Sequence, residues 1–236
     1  MNVNDMYRIC QFAINKAQNG YLTPSEFNLV INQAQTSYQD YLLGEFQQYQ
    51  YGRPQARVNY SQNENTRQRL TPLIAQATLA PNATTGVAAY PADFLQVDAM
   101  WEADGVRRIR FVPQDSLYSY YSSEIDPVVE NPIYLLQNDQ FQFYPKNIAT
   151  VSGNPKISYV KSAPEIVWAY TTVGGRPVYA ATQTGVGVTP TTGSVQPVWY
   201  DVDILEIITR ALKLIGLNLQ DGMVSQYANQ ITQTGQ

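Results

Sequence analysis

Residues 133–144 read IYLLQNDQFQFY, and this stretch decides the fold class. Phe141 and Phe143 alternate with Gln140, Gln142 and Tyr144, a period of two, which is the strand repeat. Asn138-Asp139 supplies two residues that tolerate left-handed backbone. The segment therefore predicts a hairpin of Ile133–Gln137 against Gln140–Tyr144. Working outward, the same period predicts strands at Leu95–Trp101, Val106–Val112 and Lys156–Val160, with Ala103-Asp104-Gly105 turning between the first two. Strands joined this closely should pair in sequence order, which gives a largely antiparallel sheet. Pro113–Ser123 reads as a short helix between strands.

Before this region the period is helical. Met6, Ile9, Cys10, Ala13, Ile14 and Ala17 recur at steps of three and four over Asn4–Asn19, and Gly20 suits the stop. Thr23-Pro24-Ser25-Glu26 is a capping box with proline in the first turn. Phe27, Ile31, Ala34, Tyr38, Tyr41 and Leu42 then form one face of a second helix, extending toward Phe46 and Tyr49, and the opposite face is largely Asn and Gln. A short connection predicts an antiparallel helical hairpin. After the β region, Asp201–Leu219 carries two apolar seams side by side, Val202/Leu205/Ile208/Leu212/Ile215 and Ile204/Ile207/Ala211/Leu214. A stripe that wide predicts a largely buried closing helix. Met223–Ile231 reads as a last amphipathic turn or two.

Two segments have neither period. Residues 51–69, YGRPQARVNYSQNENTRQR, hold four arginines and one acid and read as a basic arm with a short helix near its end. Residues 171–197 are rich in Gly, Thr, Val and Pro and read as a long hairpin or projecting loop. The expected plan is α+β: a helical hairpin (1–50), a basic arm (51–72), and an antiparallel β domain with C-terminal helices (73–236), from which 170–198 projects.

Composition narrows the chemistry. The chain has 236 residues, no His and one Cys. Without imidazole there is no Ser-His-Asp or Cys-His relay and no histidine metal site. One Cys excludes an internal disulfide, and its place on an apolar stripe makes it a core residue. Charged residues are 14%, against about 25% in ordinary soluble proteins. Amides replace them, with 24 Gln and 16 Asn, beside 18 Tyr. Net charge is −4: residues 1–72 carry six basic and five acidic groups, and the rest carry nine and fourteen. That is the wrong sign for a nucleic-acid coat. The N-terminal residues lack the pattern of a secretory signal, and 204–219 is too short and too charged to span a bilayer, so no membrane segment is expected.

No motif assigns a reaction. Ser158-Tyr159-Val160-Lys161 has the Ser-x-x-Lys spacing of penicillin-recognising enzymes, but it reads as a strand and its companion motifs are absent. Gly185-Val186-Gly187 lacks the third glycine of a dinucleotide fingerprint. The carboxylates Asp93, Asp98, Glu102 and Asp104, and Asp115, Glu124, Asp126 and Glu130, cluster without one standing above another. We therefore expect no catalytic, cofactor or metal residues and no cofactor. The candidate residues are those of an interface. Arg53, Arg57, Arg67 and Arg69 lie on the arm, and Arg108 and Arg110 on one face of a strand, where pairing with acids of another subunit is favoured over phosphate contact. Tyr118, Tyr120 and Tyr121 form an aromatic group that buries area at small entropy cost.

The order of features along the chain resembles a known family. Tyr90-Pro91-Ala92-Asp93-Phe94 leads into Leu95-Gln96-Val97; Ile133-Tyr134, Phe141–Pro145, Ile157–Val160 and Pro164 follow; Trp199-Tyr200-Asp201 opens the closing helix. This order resembles the head-to-tail adaptor or connector proteins of short-tailed bacteriophages, the tail tubular protein A-like ring proteins. The amide- and tyrosine-rich, histidine-free texture resembles crAss-like phages. The resemblance covers about residues 70–220. It implies a non-enzymatic virion protein, made in the bacterial host cytoplasm and built into the neck or tail. It implies a homo-oligomeric ring, commonly a dodecamer, that binds the portal and other tail proteins and lets double-stranded DNA pass without sequence-specific binding. The readings that compete with it are another tail hub or ring component, a carbohydrate-binding or depolymerising tail module, and a cytoplasmic scaffold.

Overall fold

A computed structural model describes residues 1–16, 20–44, 64–121, 127–181 and 187–215. The elements are α1 (Val3–Lys16), α2 (Pro24–Leu43), α3 (Glu64–Leu70), β1 (Ile74–Thr78), β2 (Val87–Ala89), β3 (Phe94–Trp101), β4 (Arg110–Phe111), α4 (Gln114–Tyr121), β5 (Ile133–Gln137), β6 (Gln140–Tyr144), α5 (Ile148–Val151), β7 (Lys156–Lys161), β8 (Tyr170–Val173), β9 (Arg176–Tyr179) and α6 (Asp201–Leu214). The class is α+β, as expected. The division into domains differs from the expected 1–50, 51–72 and 73–236. One unit combines residues 1–69 with 163–236, and residues 70–162 form the other.

The unit 70–162 is built on two sheets. β1 and β3 both pair antiparallel with β7, and the second sheet has the order β2-β6-β5-β4. The hairpin of β5 and β6 forms where the sequence predicts it, with Asn138 and Asp139 both at positive φ in the turn. Pairing in sequence order does not hold elsewhere. The predicted strand Val106–Val112 shortens to two residues, which pair parallel with β5. Its hairpin with β3 keeps one bridge, Trp101 to Arg108. The reason is burial. Ile157, Ser158, Tyr159 and Val160 are all buried, so β7 is the apolar strand that can sit centrally with neighbours on both sides. Both residues of β4 are exposed, which suits an edge. Phe141 and Phe143 form the core with Met100, Ile109, Tyr134, Ile148 and Ile157. Gly86 permits the close approach of β2: a side chain there would meet the Phe143 carbonyl oxygen at 2.8 Å, and its φ is +72°.

The other unit is mainly helical. Thr23 and Glu26 form the capping box in both directions, and α2 buries Phe27, Ile31, Ala34, Tyr38 and Leu42, while Tyr41 is exposed. α1 meets α2 near their connection, where the Tyr7 hydroxyl donates to the Leu22 carbonyl and the two rings Tyr7 and Phe27 meet edge-on. Farther along, α2 packs on α6. The extension to Phe46 and Tyr49 and the segment 223–231 lie outside the described residues. Cys10 is fully buried on α1, and burial pushes its thiol up to about 12. It should be silent to a thiol reagent at neutral pH until the chain unfolds. Labelling of the native chain at the rate of a free thiol would contradict this packing.

The segment 170–198 does not simply project. β8 and β9 form a hairpin, with Gly174 and Gly175 at positive φ in its turn, and the chain then returns along its own base. Thr189 bridges Tyr170, and Val195 bridges Val167. Ser194 Oγ donates to the Ala180 carbonyl at 2.7 Å and accepts from the Ala169 amide at 3.0 Å, which ties the return in place. The closing helix also differs from expectation. Ile204, Ile207, Ile208 and Ala211 are buried, whereas Val202, Leu205 and Leu214 are half or more exposed. The division does not follow the two seams: Ile208 of the first is buried and Leu214 of the second is exposed, so the exposed apolar neighbours are Val202 and Leu205 at the start of the helix.

Candidate functional site

The structure separates the candidate interface residues. Arg53 and Arg57 lie outside the described residues, as do the side chains of Tyr120 and Tyr121, whose backbone belongs to α4. Arg67 is half-buried on α3.

Arg69 is engaged inside its own unit. Its guanidinium lies 3.7 Å from Asp203 Oδ1 and donates to the Tyr38 hydroxyl at 3.4 Å. Tyr38 itself donates to Asp203 Oδ1 at 2.6 Å. Asp203 is almost fully buried in the first turn of α6. Burial pushes the Tyr38 hydroxyl up to about 12, its bond to Asp203 pushes the same way, and Arg69 opposes both. Arg210 lies over the Tyr41 ring, 4.8 Å from its centroid, and pairs with Glu206. The cluster fastens α2, α3 and α6 together.

A second feature of this unit was not foreseen. Asn28, Asn32, Gln35 and Gln39 recur at steps of four, three and four along α2, which places them on one helix face. They read the backbone of residues 163–168 as a neighbouring strand would. The Asn28 side chain donates to the Trp168 carbonyl and accepts from the Trp168 amide; Asn32 does the same at Ile166. Gln35 donates to the Pro164 carbonyl and Gln39 accepts from the Ala163 amide. Gln35 also accepts from Trp199 Nε1. The regular spacing of amides was the available signal. These four amides are spent within one unit.

Arg108 and Arg110 do reach the surface. Ile109 between them is buried in the core, so alternation along the strand turns both arginines outward. Ile109 N donates to Met100 O, and Arg110 N to Pro132 O, which fixes the segment at both sides. Around them Val106 is 81% exposed, Tyr118 76% and Phe111 52%. Among the described residues none of Arg107, Arg108 and Arg110 forms an ion pair. Arg107 donates to the Val129 carbonyl at 3.4 Å.

Next to this stretch is a group with a cost. Glu102 is buried in the turn after β3, and its Oε1 has no hydrogen-bond partner. Desolvation raises its pKa; Arg107 opposes this, and Asp104 and Glu130 add to it. An acid raised in the fold penalises folding once ionised, so stability falls as pH rises through the carboxylate range. Glu102→Gln should therefore raise the melting temperature at pH 7, and the gain should vanish below about pH 4, where both states are protonated. A variant that melts lower at pH 7 would show that the carboxylate is stabilising.

Among the described residues the Ser-x-x-Lys spacing does not make a site. Ser158 Oγ donates to Asp98 Oδ2 at 3.1 Å from strand β7, and Lys161, three positions on, points to the opposite face. Among the described residues no group of three or more Cys, Asp or Glu side chains is placed to hold a metal ion. No helix among them is long and apolar enough to cross a membrane. Compared with models of protein families and with curated proteins, the sequence matches none. What the geometry offers is surface: the exposed pair Val202 and Leu205 on α6, and a cationic, aromatic stretch from Val106 to Tyr118.

Proposed function

We propose that this chain is a structural, non-enzymatic subunit of a bacteriophage virion. In this reading copies assemble into a ring in the neck or tail that joins the portal to the tail and surrounds the DNA ejection channel. The observation that carries docking on a partner is the apolar start of α6. Val202 is 68% exposed and Leu205 52%, on a helix whose other face, with Ile204, Ile207, Ile208 and Ala211, is core. Apolar side chains in register on one helix face gain from cover by a partner. The choice of assembly rests on the resemblance of about residues 70–220 to phage adaptors. The low charge is compatible with it, because amides and tyrosines desolvate at smaller cost than ions. So is the negative net charge, which keeps passing phosphates from being gripped.

Purified portal tests the reading. The chain should co-sediment with portal and add a ring to it in negative-stain images. A chain that ignores portal and tail proteins at micromolar concentration would sink it.

A further inference from the structure

We propose that copies of this chain dock end to end through the unit 70–162, the arginine end of one copy on the aspartate end of the next. The inference rests on the assembly reading above and names its contact.

β3 connects the two ends. Its eight residues, at about 3.3 Å each, span about 25 Å. Beyond its C-terminal end lie Arg107 and Arg108, the latter bridged to Trp101. Arg110 follows on β4. Lys156, paired with Trp101 across β7, belongs to the same end. So does Lys146, just past the end of β6, whose Tyr144 pairs with Ile133 and so neighbours Arg110. Among the described residues Asp104 and Glu130 are the exposed acids there; Asp104 Oδ1 is taken up by the Val106 amide. The five cations outnumber these two acids, and Val106 and Phe111 add exposed apolar area.

At the N-terminal end of β3 the sign reverses. Asp93 directly precedes the strand, and Asp139 sits in the β5–β6 turn. The register Ala89 to Gln140 brings that turn beside Tyr90, and the Tyr90 and Phe94 rings lie 4.4 Å apart. Both carboxylates are exposed. Asp93 accepts from the Tyr159 hydroxyl, which fixes its direction. Lys161, opposite Phe94 on β7, is the cation of this end. Leu95 and Leu136 are its exposed apolar residues.

One unit thus carries two unlike patches of opposite sign, each with apolar neighbours, about a strand length apart. Arginine and aromatic residues are the enriched side chains of protein interfaces, and guanidinium matches carboxylate in a two-pronged geometry. Nucleic acid fits less well, because a chain of net −4 with five cations at one end lacks the phosphate-binding stripe. A contact between two different patches is heterologous, so it extends from copy to copy until it closes as a ring or runs on as a filament.

Sedimentation velocity of three full-length chains tests this: wild type, R108E/R110E and D93N/D139N. The changed residues are exposed, and D93N keeps an acceptor for the Tyr159 hydroxyl; circular dichroism melts check that both variants stay folded at the temperature of the run. Wild type should form a multi-subunit species that dissociates in 1 M NaCl, by the screening about 3 Å Debye length implies. Each variant alone should be monomeric, with affinity reduced at least about tenfold. The decisive arm mixes the two variants. Each keeps one good end, so the mixture should give a 1:1 dimer and nothing larger. Variants that assemble like wild type would overturn the end-to-end contact and leave the assembly reading standing. Variants that assemble only with added nucleic acid would identify phosphate as the arginine end's ligand and overturn it as well. Wild type that stays monomeric both alone and with purified portal would overturn the assembly reading itself.

Discussion

Asn32→Ala is expected to destabilise the unit formed by residues 1–69 and 163–236 by about 2–4 kcal/mol. The Asn32 amide makes two bonds at 2.8 Å to one residue, donating to the Ile166 carbonyl and accepting from the Ile166 amide. Alanine removes both and leaves two backbone groups without partners beside the fully buried Ile166. Asn32→Asp separates the two halves of the contact. Aspartate can still accept from the Ile166 amide, but it cannot donate and brings a charge against a carbonyl oxygen. It should be at least as damaging as alanine at neutral pH and should recover when acidified. Asn28, which reads Trp168 in the same way, should behave alike. Equilibrium urea unfolding followed by tryptophan fluorescence measures this, since Trp168 and Trp199 both touch the ladder. A change under about 0.5 kcal/mol would mean that water substitutes freely for the amides.

Asp203→Ala is the second large effect, about 2–4 kcal/mol. Asp203 is the acceptor for the buried Tyr38 hydroxyl and the counter-charge for Arg69. Its removal strands a hydroxyl held between α2 and α6 and frees the anchor of α3. Tyr38→Phe removes one bond and keeps the ion pair, so it should cost less. Asp203→Asn keeps an acceptor for Tyr38 while losing the charge, and should fall between them. The same unfolding experiment gives the ranking. Equal stability of Asp203→Ala and wild type would contradict the buried cluster.

These contacts mark the limit of what the sequence discloses. The β5–β6 hairpin and the capping box at Thr23 are legible because every group they need lies within a few residues. β1 and β2 escape notice because five and three small residues carry too little alternation to stand out. The pairing of β7 with both β1 and β3 is set by which strand is apolar on both faces, a competition between distant segments. Arg69 looks like Arg67 on the page; only the fold brings buried Asp203 to it. The asparagine ladder has a visible spacing, but its partner is plain backbone more than a hundred residues away. The two seams of α6 are likewise visible, but tertiary packing buries residues from both, Ile208 from one and Ile204, Ile207 and Ala211 from the other. Arg108 and Arg110 stay candidates because alternation around one apolar residue is a local property, and it held.

In the proposed reading, the arginines at one end of β3, the carboxylates at the other and the exposed Val202 and Leu205 of α6 are where partners dock. Negative-stain imaging of the purified chain, alone and with portal, tests that claim most directly. The account predicts closed rings with a central opening, formed alone at high concentration or on the portal. Monomeric particles under both conditions would contradict it.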